Sequence, residues 1–188
     1  MPDSVVDRLH AEFTALVTYL DAGAQLSLRN TAEETFRKAL LLSAASYFEA
    51  RVTDIILAFA RDSTHPATPV PELVRNKALS RQYHTLFDWE RNNANKFFSL
   101  FGDGFRAYMQ AAIQADESKE ESVKAFLELG LQRNLLVHGD YGAFQLEKTA
   151  AEIFDLFTKG LKFVDGLRPS LDAYVANEVT KAAPPVAE

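Results

Sequence analysis

The chain contains no cysteine, and this absence excludes several kinds of site. Without cysteine there are no disulfides, no thiolate metal site and no thiol nucleophile, which agrees with a cytoplasmic location. No apolar run approaches the length of about 18 residues that a membrane-spanning helix needs. The N-terminus MPDSVVDRLH also lacks a basic segment followed by an apolar one. We therefore expect neither membrane insertion nor secretion.

Positive charge is also scarce, since 20 Lys and Arg stand against 26 Asp and Glu, for a formal net charge of -6. A protein that binds nucleic acid along an extended surface needs clustered Lys and Arg side chains to neutralise the phosphates. Any contact with RNA must therefore be local. One local excess of cations lies between residues 75 and 106, where a solvated helix face is the simpler explanation.

The remaining composition is typical of a globular protein with one core. Hydrophobic residues make up 47% of the 188 residues, and 14 Phe stand against 8 Gly. No strand-like alternation of any length occurs, so we predict an all-α single domain, a bundle of about five to seven helices. The domain should cover residues 1 to 176, and residues 177 to 188 should form a flexible C-terminal tail.

The spacing of apolar residues, together with capping residues and prolines, predicts the individual helices. Residues 3 to 22 form a first helix, and Thr31 with Glu34 reads as a capping box that opens a long central helix ending near Arg61. Three prolines between residues 62 and 71 predict a surface connection. Residues 72 to 115 are then predicted to form two or three shorter helices.

A second capping box, Ser118 with Glu121, predicts the start of a helix that ends at His138, with Gly139 as a left-handed stop. A further helix is expected at roughly residues 146 to 167. A final short helix would follow from Ser170.

The motif that most clearly indicates a chemical function lies near the end of the helix that is predicted to end at His138. Of the four Arg-Asn pairs in the chain, only the one at Arg133 is followed by a histidine, His138, five residues after the arginine. Asn134 and His138 are four residues apart and share a helix face, beside the apolar stripe. Polar groups placed there need a partner, because an unpaired buried polar group is costly.

These three residue types suit cleavage of a phosphodiester without a metal. Arg133 is permanently charged and forks toward phosphate oxygens, and Asn134 can donate to the same group or orient the imidazole. His138 should lie in the last helical turn, where unpaired carbonyls favour imidazolium, and it could protonate a leaving oxygen. In such a reaction the ribose 2′-hydroxyl attacks its own phosphate, so DNA is not an expected substrate.

Two further residues are predicted to support the motif's surroundings. Glu49 points inward from the central helix, and we hypothesise that it pairs with Arg133 or His138, although a purely structural ion pair is the alternative. Gly130, one turn before the motif, would let another helix approach closely.

No cofactor and no metal are expected from the remaining residues. His10, His65 and His84 lack a second ligand at metal-binding spacing, and no Gly-rich phosphate loop follows a strand.

The run LQRNLLVHGDY, residues 131 to 141, resembles the signature of the HEPN superfamily. That signature is Arg, then Asn, Asp or His, and a His four to six residues after the Arg. The stretches at residues 43 to 56 and 89 to 102 are similar to matching parts of the RiboL-PSP branch and of a second, related branch. The resemblance covers roughly residues 31 to 165.

The resemblance implies a helical homodimer in which two motifs face each other across a composite cleft and cleave RNA, leaving a 2′,3′-cyclic phosphate. Arg133 would bind phosphate, Asn134 would assist, and His138 would act as acid or base. Family members often serve as toxins or in phage defence, so a cognate antitoxin or a regulatory protein is a further expected partner. Antitoxin-paired members often have Tyr two residues after the His, whereas Tyr141 comes three after, and its supporting role stays open.

Two rival functions fit the same residues. The first is a catalytically silent HEPN module that dimerises and binds a protein or a nucleotide through the same surface. The second is a purely structural helical protein, in which Arg133 and His138 only cap carbonyls or hold a neighbouring helix.

Overall fold

The computed structural model describes residues 4 to 182, and over this range the chain is built from helices without any strand. The predicted all-α class is confirmed. The helices are α1 (Val5–Ala22), α2 (Leu26–Asp62), α3 (Val70–Val74), a π-helical turn (Arg75–Leu79), α4 (Tyr83–Leu86), α5 (Asn95–Ser99), α6 (Asp103–Gln114), α7 (Glu117–His138) and α8 (Ala150–Ala182). None of the helices in this range combines the length and the low polarity needed to cross a bilayer.

The helix count exceeds the predicted five to seven because the segment between α2 and α6 breaks into short pieces. Three of its helices have only four or five residues. The predicted surface connection is present between α2 and α3, and Pro71 lies in the first turn of α3, where a missing N–H costs little. Farther on, Arg81 adopts a left-handed backbone with φ of 59°, which ends helical continuity.

Helix α1 confirms the first predicted helix and is opened by a capping box. The Asp7 backbone N–H donates to the Ser4 hydroxyl at 3.1 Å, and the Ser4 N–H donates to the Asp7 carboxylate at 2.7 Å. These bonds satisfy backbone donors that have no partner within the helix.

The predicted start of α2 at Thr31 is wrong, since the helix already begins at Leu26. Thr31 lies inside the helix and its hydroxyl donates to the Ser27 carbonyl at 3.1 Å. A Thr-x-x-Glu pattern can occur within a helix as well as at its start, so the pattern alone does not decide. Contact with α1 supports the extra turn, because the Arg29 guanidinium pairs with Asp21 at 2.9 Å.

The predicted start of α7 and the predicted conformation of Gly139 also need correction. Its N-cap is Asp116, whose carboxylate accepts the Ser118 N–H at 3.0 Å, so Ser118 and Glu121 lie within the helix rather than opening it. At the other end Gly139 has φ of -91°, an extended and not a left-handed conformation. The helix does end at His138, as predicted.

Helix α8 is longer than the sequence predicts. Thr149 and Glu152 cap its start reciprocally, with bonds of 2.8 and 3.2 Å, so the predicted start at residue 146 is too early. The helix continues through Pro169 to Ala182, and the separate helix predicted from Ser170 is therefore wrong. Residues 177 to 182 of the expected tail are helical, and residues 183 to 188 lie outside the described residues.

The core lies where α2, α7 and α8 pack together, and it is mainly aromatic. The Phe48 ring of α2 lies 5.3 Å from both Phe126 of α7 and Phe157 of α8, measured between ring centroids. All three side chains are about 1% exposed. Burying each such ring stabilises the fold by roughly 1.5 to 3 kcal/mol, so these helices hold the end of α7 in place.

Gly160 allows the closest approach within this core. A Cβ added at Gly160 would lie 3.0 Å from the Phe48 ring and 3.1 Å from the Phe126 Cα. The second of these neighbours is backbone and cannot move without shifting α7. The absence of a side chain at this position therefore sets the spacing of α7 and α8.

We expect Gly160→Ala to lower the free energy of unfolding by about 1 to 2 kcal/mol, because crowding outweighs the gain in helix propensity. Gly166→Ala is the matched control in the same helix, since an added Cβ there meets nothing within 4 Å. That control should stabilise by up to about 1 kcal/mol. Urea unfolding of both variants measures the difference, and equal stability of the two would contradict the proposed crowding.

Candidate active site

The predicted motif occupies the last two turns of α7. The Arg133 Nη1 donates to the Asn134 side-chain oxygen at 3.1 Å, and both side chains are half-buried. His138 is the last residue of the helix and is exposed. The structure therefore joins Arg133 to Asn134 directly, while the imidazole lies one turn farther on and faces solvent.

Arg133 and Asn134 border a small pocket between α2, α4 and α7, which we call the inner pocket. Its volume of about 10 Å³ leaves room for roughly one water molecule. Its polar lining comes from Glu49, Tyr83, His84, Arg133 and Asn134. The sequence prediction that Glu49 points inward toward the motif agrees with this placement.

Tyr83 is the most electrostatically perturbed group in this pocket. Burial raises the pKa of its phenol far above the ordinary value, the Glu49 carboxylate raises the pKa further, and the Arg133 guanidinium partly lowers it. The phenol therefore stays protonated at physiological pH and can act as a hydrogen-bond donor beside both charges.

Glu49 shares the inner pocket with Arg133 but does not pair with it directly. Among residues 4 to 182, no ion pair joins Glu49 to Arg133 or to His138. The carboxylate and the guanidinium instead act on the same phenol, that of Tyr83. A role for Glu49 in holding the motif stays a proposal that depends on this shared pocket.

His138 borders a second and much larger depression, which we call the outer groove. Its volume is about 550 Å³, and it is open to solvent. Its lining residues are Phe87, Asp88, Trp89, Glu90, Lys96, Leu131, Asn134, Leu135, His138 and Gly139. Asn134 and Trp89 border both cavities, so the motif lies at their junction.

Trp89 forms the wall between the two cavities, and Gly130 makes its position possible. A Cβ at Gly130 would collide with the six-membered ring of the indole. The Trp89 Nε1–H donates to the His84 carbonyl at 2.8 Å, and the ring lies 5.0 Å from Phe87. Gly130 thus admits a loop side chain, whereas the sequence prediction was the close approach of another helix.

The segment after His138 is anchored by a buried cation. The Lys38 side chain is only 5% exposed, and its Nζ donates to the Tyr141 carbonyl at 2.9 Å. The same Nζ lies 5.2 Å from the centroid of the Tyr141 ring, a cation–π contact. Tyr141, whose supporting role the sequence left open, therefore helps to fix the segment that follows the imidazole.

Three exposed apolar side chains lie within three residues of His138 in the chain. Leu135 is 49% exposed, Val137 41% and Tyr141 46%. These three residues, which we call the apolar patch, alternate with the polar groups of the motif. Exposed apolar area beside a functional motif is typical of a contact surface.

The part of the chain that the structure describes contains no group of three or more His, Asp or Glu side chains placed to hold a metal ion. His10 stacks on Phe154 with ring centroids 4.0 Å apart, and the His65 ring accepts the Ala67 N–H at 3.2 Å. Both histidines thus have local structural partners.

Sequence reasoning missed Tyr83, Trp89 and Lys38. Tyr83 and Trp89 lie in the irregular segment between α3 and α5, where no periodicity indicates which side chains turn inward. Gly130 was the one available signal, since a glycine inside a well-formed helix often marks a close contact. No sequence pattern distinguished Lys38 from a solvated lysine.

We expect Gly130→Ala to displace the indole ring and to lower the free energy of unfolding by about 1 to 3 kcal/mol. Trp89 is the only tryptophan, so a change in its fluorescence emission reports the displacement directly. Gly142→Ala, in the loop after α7, is the control, because the nearest atom to an added Cβ there is an exposed Asp140 oxygen at 3.5 Å. Unchanged emission and stability in Gly130→Ala would show that the wall does not depend on this glycine.

Comparison with known proteins identifies the family to which the chain belongs. No curated protein and no solved structure matches the chain. The family model RiboL-PSP-HEPN matches residues 7–172, and the match extends at both ends beyond the resemblance noted from the sequence. This confirms the resemblance, and the chain belongs to the RiboL-PSP-HEPN family.

Proposed function

We propose that the protein is a metal-independent endoribonuclease that acts as a homodimer through Arg133, Asn134 and His138. The observation that supports this best is the position of His138, which is exposed and lines the outer groove, about one helical turn after the Asn134 that accepts a hydrogen bond from Arg133. Membership of a HEPN family agrees with a ribonuclease or a nucleotide-binding module. The exposed imidazole of His138 favours the ribonuclease over the nucleotide-binding module.

In the proposed reaction the ribose 2′-oxygen attacks its own phosphorus and the bond to the 5′-oxygen of the next nucleotide breaks. A base removes the 2′-hydroxyl proton, an acid protonates the departing 5′-oxygen, and a 2′,3′-cyclic phosphate remains. Arg133 would stabilise the charge on the phosphate oxygens, and Asn134 would orient the group. The motif supplies one imidazole per chain, whereas two proton transfers are needed, which favours a site shared by two chains.

The apolar patch supports such a dimer. Leu135, Val137 and Tyr141 are exposed and lie within three residues of His138 in the chain, so a second copy packed there would bury apolar area and bring its own motif close to the first. Lys38 anchors the Tyr141 backbone, so the patch is held in a defined shape before contact.

A ribonuclease of this kind needs restraint in its own cell. The proposal therefore includes a role as a toxin or phage-defence effector in the cytoplasm, with a cognate antitoxin or a regulatory protein that covers the motif. Such a partner would have to contact the outer groove or the apolar patch, since the inner pocket has room for only about one water molecule.

A catalytically silent module that dimerises and binds a protein or a nucleotide is the second candidate. The net charge of -6 favours it, because an RNA-binding surface gains affinity from cations. The half-buried position of Arg133 beside Asn134 also fits a structural arginine.

We expect His138→Ala to lower the rate of RNA cleavage by about 10² to 10⁴ in the presence of EDTA, because a general acid or base is lost. Purified protein incubated with total RNA or tRNA, followed by analysis of the ends for cyclic phosphate, provides the measurement. His65→Ala is the control, since His65 lies in the loop after α2, outside both cavities. DNA and 2′-O-methyl RNA should remain intact.

Equal cleavage by the wild-type and His138→Ala proteins would remove the ribonuclease proposal. Absence of cleavage by both would favour the silent module.

We expect Val137→Glu to convert a dimer into a monomer and to abolish cleavage at the same time, because a buried charge would enter the apolar contact. Val175→Glu on α8 is the matched control, since Val175 is 42% exposed against 41% for Val137. Light scattering after size-exclusion chromatography gives the mass, and the RNA assay gives the activity. A wild-type protein that is strictly monomeric yet cleaves RNA would contradict the shared site.

A further inference from the structure

The outer groove has the size and lining of a site for one nucleotide. Its volume of about 550 Å³ lies within the roughly 300 to 1,000 Å³ typical of ligand sites. It combines an indole wall, Trp89, with the imidazole of the motif, His138, and the ammonium group of Lys96. This combination offers a stacking surface next to groups that attract a phosphate.

Trp89 is a preorganised surface for stacking. Its Nε1–H is bonded to the His84 carbonyl at 2.8 Å, and Gly130 and the ring of Phe126, 5.8 Å away, fix the indole from the side of α7. The side chain nevertheless remains partly exposed where it borders the groove. Stacking of a base on an aromatic side chain is worth about 1 to 3 kcal/mol and needs no particular base.

Glu90 is the residue of the groove that can distinguish one base from another. Asp88 pairs with Arg91 at 3.6 Å, and the Lys96 Nζ donates to the Phe87 carbonyl at 3.4 Å. Glu90 is exposed and forms no ion pair among residues 4 to 182, so its carboxylate is available to a ligand. An ionised carboxylate only accepts hydrogen bonds, and it therefore selects for donors.

We propose that the outer groove binds a guanosine of single-stranded RNA, with the base stacked on Trp89, its Watson–Crick edge toward Glu90 and a phosphate near Lys96 and His138. This inference rests on the proposed ribonuclease activity and names the nucleotide that the site selects. Guanine presents two adjacent donors, N1–H and the N2 amino group, on the edge that proteins read in unstacked RNA. Adenine and cytosine place a ring acceptor beside their amino group, and uracil flanks its single donor with two carbonyls.

The single tryptophan provides a direct test that does not depend on cleavage. Trp89 emission is measured while the full-length protein is titrated with GMP, AMP, CMP or UMP, with free tryptophan as the control for absorbance by the nucleotides. We expect saturable quenching by GMP with an affinity at least about tenfold above that for UMP. Equal quenching by all four nucleotides, or none, would overturn the inference.

Glu90→Gln tests the selective element, because the amide presents a donor as well as an acceptor. The preference for GMP over UMP should fall about tenfold in this variant. Glu121→Gln is the matched control, since Glu121 is also exposed and lies at the far end of α7. A preference that survives in Glu90→Gln, or that falls equally in both variants, would contradict the role of Glu90.

A second pair of titrations distinguishes RNA from a free nucleotide as the source of the guanine. The ligands are two short 2′-O-methyl RNA oligonucleotides, which cannot be cleaved, one with a single guanosine and one without any. The guanosine-containing oligonucleotide should bind more tightly than GMP, because neighbouring phosphates add contacts. Tighter binding of GMP or GTP than of this oligonucleotide would identify a free nucleotide as the occupant and overturn the assignment to RNA.

The cleavage assay separates failure of this inference from failure of the proposed function. Cleavage next to guanosine in the wild type, with loss of that preference in Glu90→Gln, would support both. Cleavage without guanine-dependent quenching would overturn the subsite and leave the ribonuclease intact. Guanine-dependent quenching by the RNA oligonucleotide without any cleavage would support the subsite and remove the ribonuclease.

Discussion

The contact between Trp89 and the bare backbone at Gly130 is the constraint on which the candidate site depends. Because no side chain projects from α7 at that point, the indole can lie against the helix and form a wall. One hydrogen bond to the His84 carbonyl and tilted packing against the rings of Phe87 and Phe126 hold it there. The wall divides the surroundings of the motif into two spaces of different size and character.

This division explains why three polar residues on one helix have unlike environments. Arg133 faces the inner pocket, where it lies with Glu49 and with a phenol whose pKa is raised mainly by burial. His138 faces the outer groove and solvent. Asn134 borders both spaces and accepts a hydrogen bond from Arg133. The arginine is thus held in place from within, while the imidazole stays accessible, as an acid or base must be.

Local signals in the sequence varied in how well they predicted the structure, for physical reasons. The predicted end of α7 at His138 follows from residues close in the chain, and α7 indeed ends there. The capping boxes at Thr31 and Ser118 were wrong for different reasons. A contact with α1, the Arg29 pair with Asp21, supports an earlier turn of α2, and α7 starts earlier because the Asp116 side chain caps it. Pro169 did not end α8, since its helix packs against α2 and α7 over much of its length.

The sequence by itself determined the helical class, the family and the spacing that aligns Asn134 and His138 on one face of α7, because helical periodicity and motif spacing are properties of neighbouring residues. Only the tertiary structure decided that Trp89 lies on Gly130, that Tyr83 shares a pocket with Glu49 and Arg133, and that Lys38 holds the Tyr141 backbone. Those contacts join residues far apart in the chain. They depend on how the short helices between α2 and α6 turn, which no local pattern specifies.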